Sequence, residues 1–227
     1  MRKVIFTFVF SLFLSLYLNA QGFLLADVLD PQGANPALQQ GGTFNVDVGT
    51  PFVIDWAEGY IFYGSKKDTY KLRYNALTDQ IHILKEGKEI VLPQGQVEKF
   101  HIIYQDKEYK FTFLTNLPEI SYGYVQIIYE KDVKVYYRHH RKPRKPTDTD
   151  SYANNLKIEA LEKDDSFVLI LPNGRAYFTQ GRRKEVLSIF SDKKKELEEF
   201  IKKEKINTEK LNGLMQVVLK YEELTKS

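Results

Sequence analysis

Cysteine is absent from this 227-residue chain. Disulfides, thiolate nucleophiles and thiolate metal sites are therefore excluded, and so is the cysteine to which a bacterial lipid anchor is attached. Tryptophan occurs once, methionine twice and histidine four times. No His-x-x-x-His or His-Glu-x-x-His spacing exists, so no metal and no cofactor is expected. Gly-x-Ser-x-Gly elbows, phosphate-cradling glycine loops and dinucleotide fingerprints are missing as well. A strong excess of one charge is also lacking. The formal net charge is +3, so no global field draws the chain to nucleic acid or anionic lipid.

Long apolar runs are scarce too. The longest, Val4 to Leu18, carries Thr7, Ser11 and Ser15 and falls short of the roughly 18 residues of a membrane span. It follows the basic residues Arg2 and Lys3 and precedes Asn19-Ala20, which is the layout of a secretory signal peptide over residues 1–20. Export to the periplasm or the medium is the expectation, with no membrane span left after cleavage.

Aromatic residues are abundant, with 15 Tyr and 15 Phe, and they favour pleated strands. Residues 21–50 read as an irregular lead-in broken by Asp30-Pro31, Asn35-Pro36 and Gly41-Gly42, with one strand at Phe44, Val46 and Val48. From residue 51 to 180 short alternating segments recur about every 8 to 12 residues. Polar turns separate them, among them Gly64-Ser65-Lys66-Lys67, Lys85-Glu86-Gly87-Lys88 and Gln105-Asp106-Lys107. Asn173-Gly174 suits a type I′ turn. The fold class expected is mainly β (α+β): an antiparallel meander forming a barrel or sandwich.

From residue 181 to 227 the period becomes helical. Val186, Leu187 and Phe190 mark one face, and Ser191-Asp192 offers a cap for a helix starting at Lys193. Leu197, Phe200 and Ile201 form its stripe, with Glu198–Lys202 and Glu199–Lys203 as i, i+4 pairs. Leu211, Leu214, Met215, Val218 and Tyr221 mark another helix, whose Gly213 implies a close backbone neighbour. These helices are expected to pack on the β domain.

Pro51 to Tyr63, Lys71-Leu72-Arg73-Tyr74-Asn75 with Asp79-Gln80, and Phe190 to Tyr221 resemble a family of uncharacterised exported β-rich proteins from Bacteroidota-type bacteria. That family carries an L-[RK]-Y-[ND] element and a lysine-rich helical tail. The resemblance implies export and architecture and no activity.

The sharpest local feature is Arg138-His139-His140-Arg141-Lys142-Pro143-Arg144-Lys145-Pro146, followed by Thr147 to Ser151. Arg138, Arg141, Lys142, Arg144 and Lys145 form a candidate polyanion loop; a solvated, proline-stiffened loop is the plainer alternative. Adjacent histidines on a strand point apart, so His139 and His140 converge poorly on one ion. Asp164-Asp165 in a turn and Glu198-Glu199 on a helix are expected to be ordinary solvated carboxylates. Trp56, Tyr60, Tyr63, Tyr70 and Tyr74 offer an aromatic platform for sugar or peptide, or core packing. The function expected is a non-catalytic envelope or interaction module whose partner is a cell-envelope protein or an anionic glycan surface. The rival is a secreted hydrolase whose site assembles only in the fold.

Overall fold

The computed structural model describes residues 49–119, 121–144 and 160–226. The leader, the strand around Val46, Lys145, the Thr147 to Ser151 run and the approach from Leu156 lie outside the described residues.

One ten-stranded antiparallel sheet dominates. It is built from β1 (Ala57–Tyr63), β2 (Lys66–Asn75), β3 (Gln80–Lys85), β4 (Lys88–Leu92), β5 (Lys99–Tyr104), β6 (Lys107–Leu117), β7 (Ser121–Glu130), β8 (Lys134–Arg138), β11 (Ser166–Ile170) and β12 (Ala176–Thr179). Between β8 and β11 the chain makes a separate two-stranded arm, β9 (Arg141–Arg144) with β10 (Ala160–Lys163). The order across the sheet is β12-β11-β8-β7-β6-β5-β1-β2-β3-β4. It is therefore not one continuous meander. The first meander runs outward from β1 to β4, and β5 then returns to the free side of β1 and starts a second.

The edge strands β4 and β12 do not pair with each other, so the sheet is not closed into a barrel; a sandwich-like arrangement fits. The sheet curls enough for the β2–β3 turn to reach β7. Asp79 of that turn accepts the Tyr74 hydroxyl at 2.5 Å, the Gln94 amide, and the Tyr124 backbone N–H at 3.3 Å. Asn75 caps the same turn by accepting the N–H groups of Leu77 and Thr78. Of the two residues whose side chains suit local turn bonds, only Asn75 acts locally. Asp79 acts over a distance, because the curl puts donors from other strands around it.

Alternation places Ile61, Leu72, Tyr74, Ile81, Ile83, Phe100, Ile102, Phe111 and Tyr124 in one core. Phe100 and Phe111 stack at 4.6 Å, and Tyr74 and Tyr124 close around them. A second core joins Val133, Val135, Phe167 and Leu169 to three helices: α1 (Arg183–Ile189), α2 (Lys194–Lys203) and α3 (Leu211–Lys226). Their buried faces include Val186, Phe190, Leu197, Ile201, Leu214, Val217 and Val218. Glu222 fixes α3 to the sheet by accepting the Val133 N–H at 2.9 Å and the Tyr129 hydroxyl at 2.6 Å.

Several local details depart from the sequence reading. Ser191–Lys193 forms a 3-10 turn and α2 begins at Lys194 without a side-chain cap. Asp192 instead accepts the Tyr221 hydroxyl at 3.3 Å. Glu198 pairs with Lys202 at 3.1 Å as spaced, whereas Lys203 lies 4.0 Å from Glu204. A Cβ on Gly213 would meet the Asn207 carbonyl at 2.0 Å, which accounts for a glycine inside α3. The β11–β12 hairpin forms, but with a different turn. Only Gly174 has positive φ (78°), Gly174 N–H donates to the Leu171 carbonyl, and Asn173 takes the Arg175 N–H. Pro172 holds φ negative after Leu171, so a type I turn ending in a left-handed glycine replaces type I′.

Candidate functional site

Arg141–Arg144 of the basic run form one strand of the arm, and β10 sets Glu162 opposite Lys142, apolar Leu161 and Ala160 opposite Pro143 and Arg144, and Lys163 opposite Arg141. Arg141 is buried and bonds Asp165 at 2.9 Å and the His140 carbonyl. Lys142 reaches Asp164 at 3.3 Å, and Arg144 lies 3.8 Å from Glu162. Arg138 ends β8, opposite Ser166, and has no carboxylate within ion-pair distance among the described residues. Three of the candidate cations are thus neutralised by the arm itself.

The Asp164-Asp165 pair is correspondingly not a solvated turn. Asp165 also accepts the Tyr137 hydroxyl at 3.0 Å and the His140 N–H at 3.0 Å, and Asp164 lies 3.3 Å from His140 Nδ1. Partial burial pushes the Asp164 carboxyl up, but bonds from Lys142 and His140 outweigh it and hold the group below the usual range. The two histidines diverge as strand geometry requires. His139 turns inward to Gln126 (2.7 Å), Tyr137 and Phe111, where burial pushes it down to about 4. His140 turns to Asp164.

Two surface depressions among the described residues bear on catalysis. One of about 390 Å³ opens between β12 and α1, lined by Tyr177, Phe178, Lys184, Glu185, Ser188 and Ile189. The other, about 340 Å³, is lined by Lys163, Asp164, Asp165, Gln180, Arg182 and Glu209. Its aspartates already hold the arm. Asp79 has a carboxyl raised by burial, yet Tyr74, Gln94 and Tyr124 occupy it. The inside of the curled sheet is filled by rings rather than hollow.

The outer face of β6-β5-β1-β2-β3-β4 carries an organisation that the sequence reading missed. Three hairpins repeat one pattern: Tyr60-Ile61-Phe62-Tyr63, His82-Ile83-Leu84-Lys85 and His101-Ile102-Ile103-Tyr104, each followed by a two-residue turn and then Lys66-Lys67, Lys88-Glu89 or Lys107-Glu108. The central isoleucine is buried each time. The first ring meets the residue seven positions on: Lys67 sits 3.4 Å over Tyr60, His82 Nδ1 is 2.5 Å from Glu89, and His101 Nδ1 is 2.7 Å from Glu108. Glu86-Gly87 and Gln105-Asp106 both have positive φ throughout, as type I′ turns demand. A self-comparison at offsets of 19 and 22 residues, His101 on His82 and His82 on Tyr60, is the signal that exposes the repeat.

On the same face Arg73 lies between two rings, 3.7 Å from Phe52 and 4.3 Å from Trp56, and donates to Glu89 at 2.7 Å. Partial burial of Glu89 is outweighed by bonds from His82 and Arg73, which hold its carboxyl below the usual range. The supposed platform is therefore divided. Tyr74 belongs to the core with Tyr70 packed against it, whereas Trp56 clasps Arg73 and Tyr60 carries Lys67.

No family model matches the chain, and no curated protein or solved structure shows significant similarity to it.

Proposed function

We propose that this protein is an exported, non-catalytic interaction module of the cell envelope. The observation that carries the reading is the ring-filled interior: Tyr74, Phe100, Phe111 and Tyr124 occupy the space in which a β enzyme or carrier holds its ligand. Binding then falls to surfaces. The outer face suits this, because Arg73, His82 and His101 are already held by Glu89, Glu108 and flanking rings and lose little freedom on contact. Export is supported by the basic and apolar leader, and the resemblance to exported β-rich proteins points the same way.

The rival hydrolase needs a carboxyl free to carry a proton. Asp164 and Asp165 are instead engaged by Arg141, Lys142, His140 and Tyr137. The test is to produce the full chain in a bacterial host with a photo-crosslinker at Thr69 or at Leu219, then fractionate. Recovery outside the cytoplasm with discrete adducts from Thr69 supports the module. Cytoplasmic retention, or a hydrolytic activity that Asp164→Asn abolishes, overturns it.

A further inference from the structure

The lysines of the outer face differ from those of the arm. In register, Phe62 of β1 stands between Lys67 of β2 and Lys99 of β5, and Glu58 stands opposite Lys71. Lys67, Lys71 and Lys99 are exposed, and among the described residues none has a carboxylate within ion-pair distance. Of the nearby acids, Glu108 is taken by His101 and Lys110, and Glu89 by His82 and Arg73; Glu58, opposite Lys71, is the one acid this part of the face leaves without an ion pair among the described residues. Tyr60 and Phe62, both half-buried, lie among these cations; Lys67 sits 3.4 Å over the Tyr60 ring and His101 lies 4.6 Å from the Phe62 ring.

We propose that the outer face of β5, β1 and β2 is a docking surface for an acidic polysaccharide, one whose sugars carry carboxylates. This deepens the module reading and rests on it. Charge complementarity selects an anion, since compact ammonium groups on flexible stems serve spaced point charges. The rings select sugar over acidic peptide. The electron-rich face of an aromatic ring takes the C–H face of a pyranose, while the carboxylate beside it reaches a lysine. A sheet face of this kind binds a chain along its length rather than a small ligand in a cavity.

The test uses the full chain and three probes: hyaluronate oligosaccharides, neutral N-acetylglucosamine oligosaccharides of equal length, and poly-L-glutamate. Binding is followed by calorimetry at low and at about 0.15 M salt, where the screening length is near 8 Å. The expected result is binding of hyaluronate that weakens with salt, at least tenfold loss in K67Q/K71Q/K99Q, and at least threefold loss in F62A while circular dichroism shows the variant still folded at the assay temperature. Equal binding of poly-L-glutamate overturns the glycan assignment. Equal binding of the neutral oligosaccharide overturns the role of charge. Loss in K142A/R144A rather than in the face variant moves the site to the arm. If hyaluronate fails while Thr69 still crosslinks a discrete partner, this inference falls and the module reading stands.

Discussion

Two basic regions of this molecule invert each other. The arm gathers its cations along a few consecutive residues and then neutralises them, with Arg141 on Asp165, Lys142 on Asp164 and Arg144 on Glu162. The outer face collects Lys67, Lys71 and Lys99 from two strands about 30 residues apart in sequence and gives them no ion pair among the described residues, Lys67 resting on the Tyr60 ring. Clustering along a chain does not make an electrostatic site. Tertiary placement decides which charges meet: the Asp164-Asp165 segment after β10 folds back onto Arg141 and Lys142, whereas Phe62 stands opposite both Lys67 and Lys99.

The comparison breaks most decisively at Arg141. Its guanidinium is only 8% exposed and its partner Asp165 16%. Arg141→Ala strands a buried carboxylate together with the donors arranged around it, which costs about 3–5 kcal/mol. Urea denaturation measures this directly. The paired change R141M/D165L removes both charges and should recover only part of the loss, because the Tyr137 hydroxyl and the His140 N–H then lack their acceptor. A single-variant cost below 1 kcal/mol would show the arm's charges to be free after all, and therefore open to a ligand.

Acid reaches the arm through its root. His139 is partly buried and neutral, with its pKa pushed down to about 4, against roughly 6.5 in an unfolded chain. The unfolded chain thus binds the extra proton first as pH falls. Above pH 6.5 this group contributes nothing to the pH dependence; between 6.5 and 4 it removes stability, up to roughly 3 kcal/mol in all. His140 and His82 are also shifted down and act in the same direction, whereas Asp79, shifted up, acts in the opposite one. The diagnostic is therefore the difference between wild type and His139→Gln across that window. A difference that stays constant with pH would mean that His139 is solvated.

Strand positions were readable because apolar alternation and two-residue turns are local. The Tyr60 to Tyr63, Phe100 to Tyr104 and Phe167 segments lie within the strands observed. Helical faces were readable for the same reason, as Leu197 and Ile201 show. What local pattern could not carry is pairing between distant strands. Nothing around Tyr104 says that β5 joins β1 rather than β4, nothing near Asp79 names Tyr124, and nothing in Arg141-Lys142 announces Asp164-Asp165. The hairpin repeat was within reach, since His82 and His101 head nearly matching segments, but it needed a self-comparison rather than a search for motifs.

On the outer face the expected effect is smaller and the signal clearer. Arg73 is held between Phe52 and Trp56, the chain's single tryptophan. Arg73→Ala removes both ring contacts and one partner of Glu89, costing about 1–2 kcal/mol. Trp56 fluorescence should shift to the red as its face becomes wet. Arg73→Lys should restore charge but not the planar stack, so stability recovers only in part. If the emission of R73A matched wild type, the ring sandwich would not exist in solution.

The smallest stability effects separate the two regions most sharply. Lys142→Ala and Arg144→Ala break half-exposed ion pairs, each worth about 0–1 kcal/mol. Both changes should lower stability slightly, and less so in high salt. K71Q and K99Q remove cations that form no ion pair among the described residues, so each should lie within about 0.5 kcal/mol of wild type at either salt concentration. K67Q also removes the contact with the Tyr60 ring and should cost about 0.5–1 kcal/mol. The response to salt is the informative quantity, and it is read from denaturation midpoints at low and high salt. Charges that a fold uses for itself lose stability when removed; charges that it keeps for a partner do not. A salt-sensitive stability loss from K71Q and K99Q equal to that from the arm would erase the distinction and assign both regions to the scaffold.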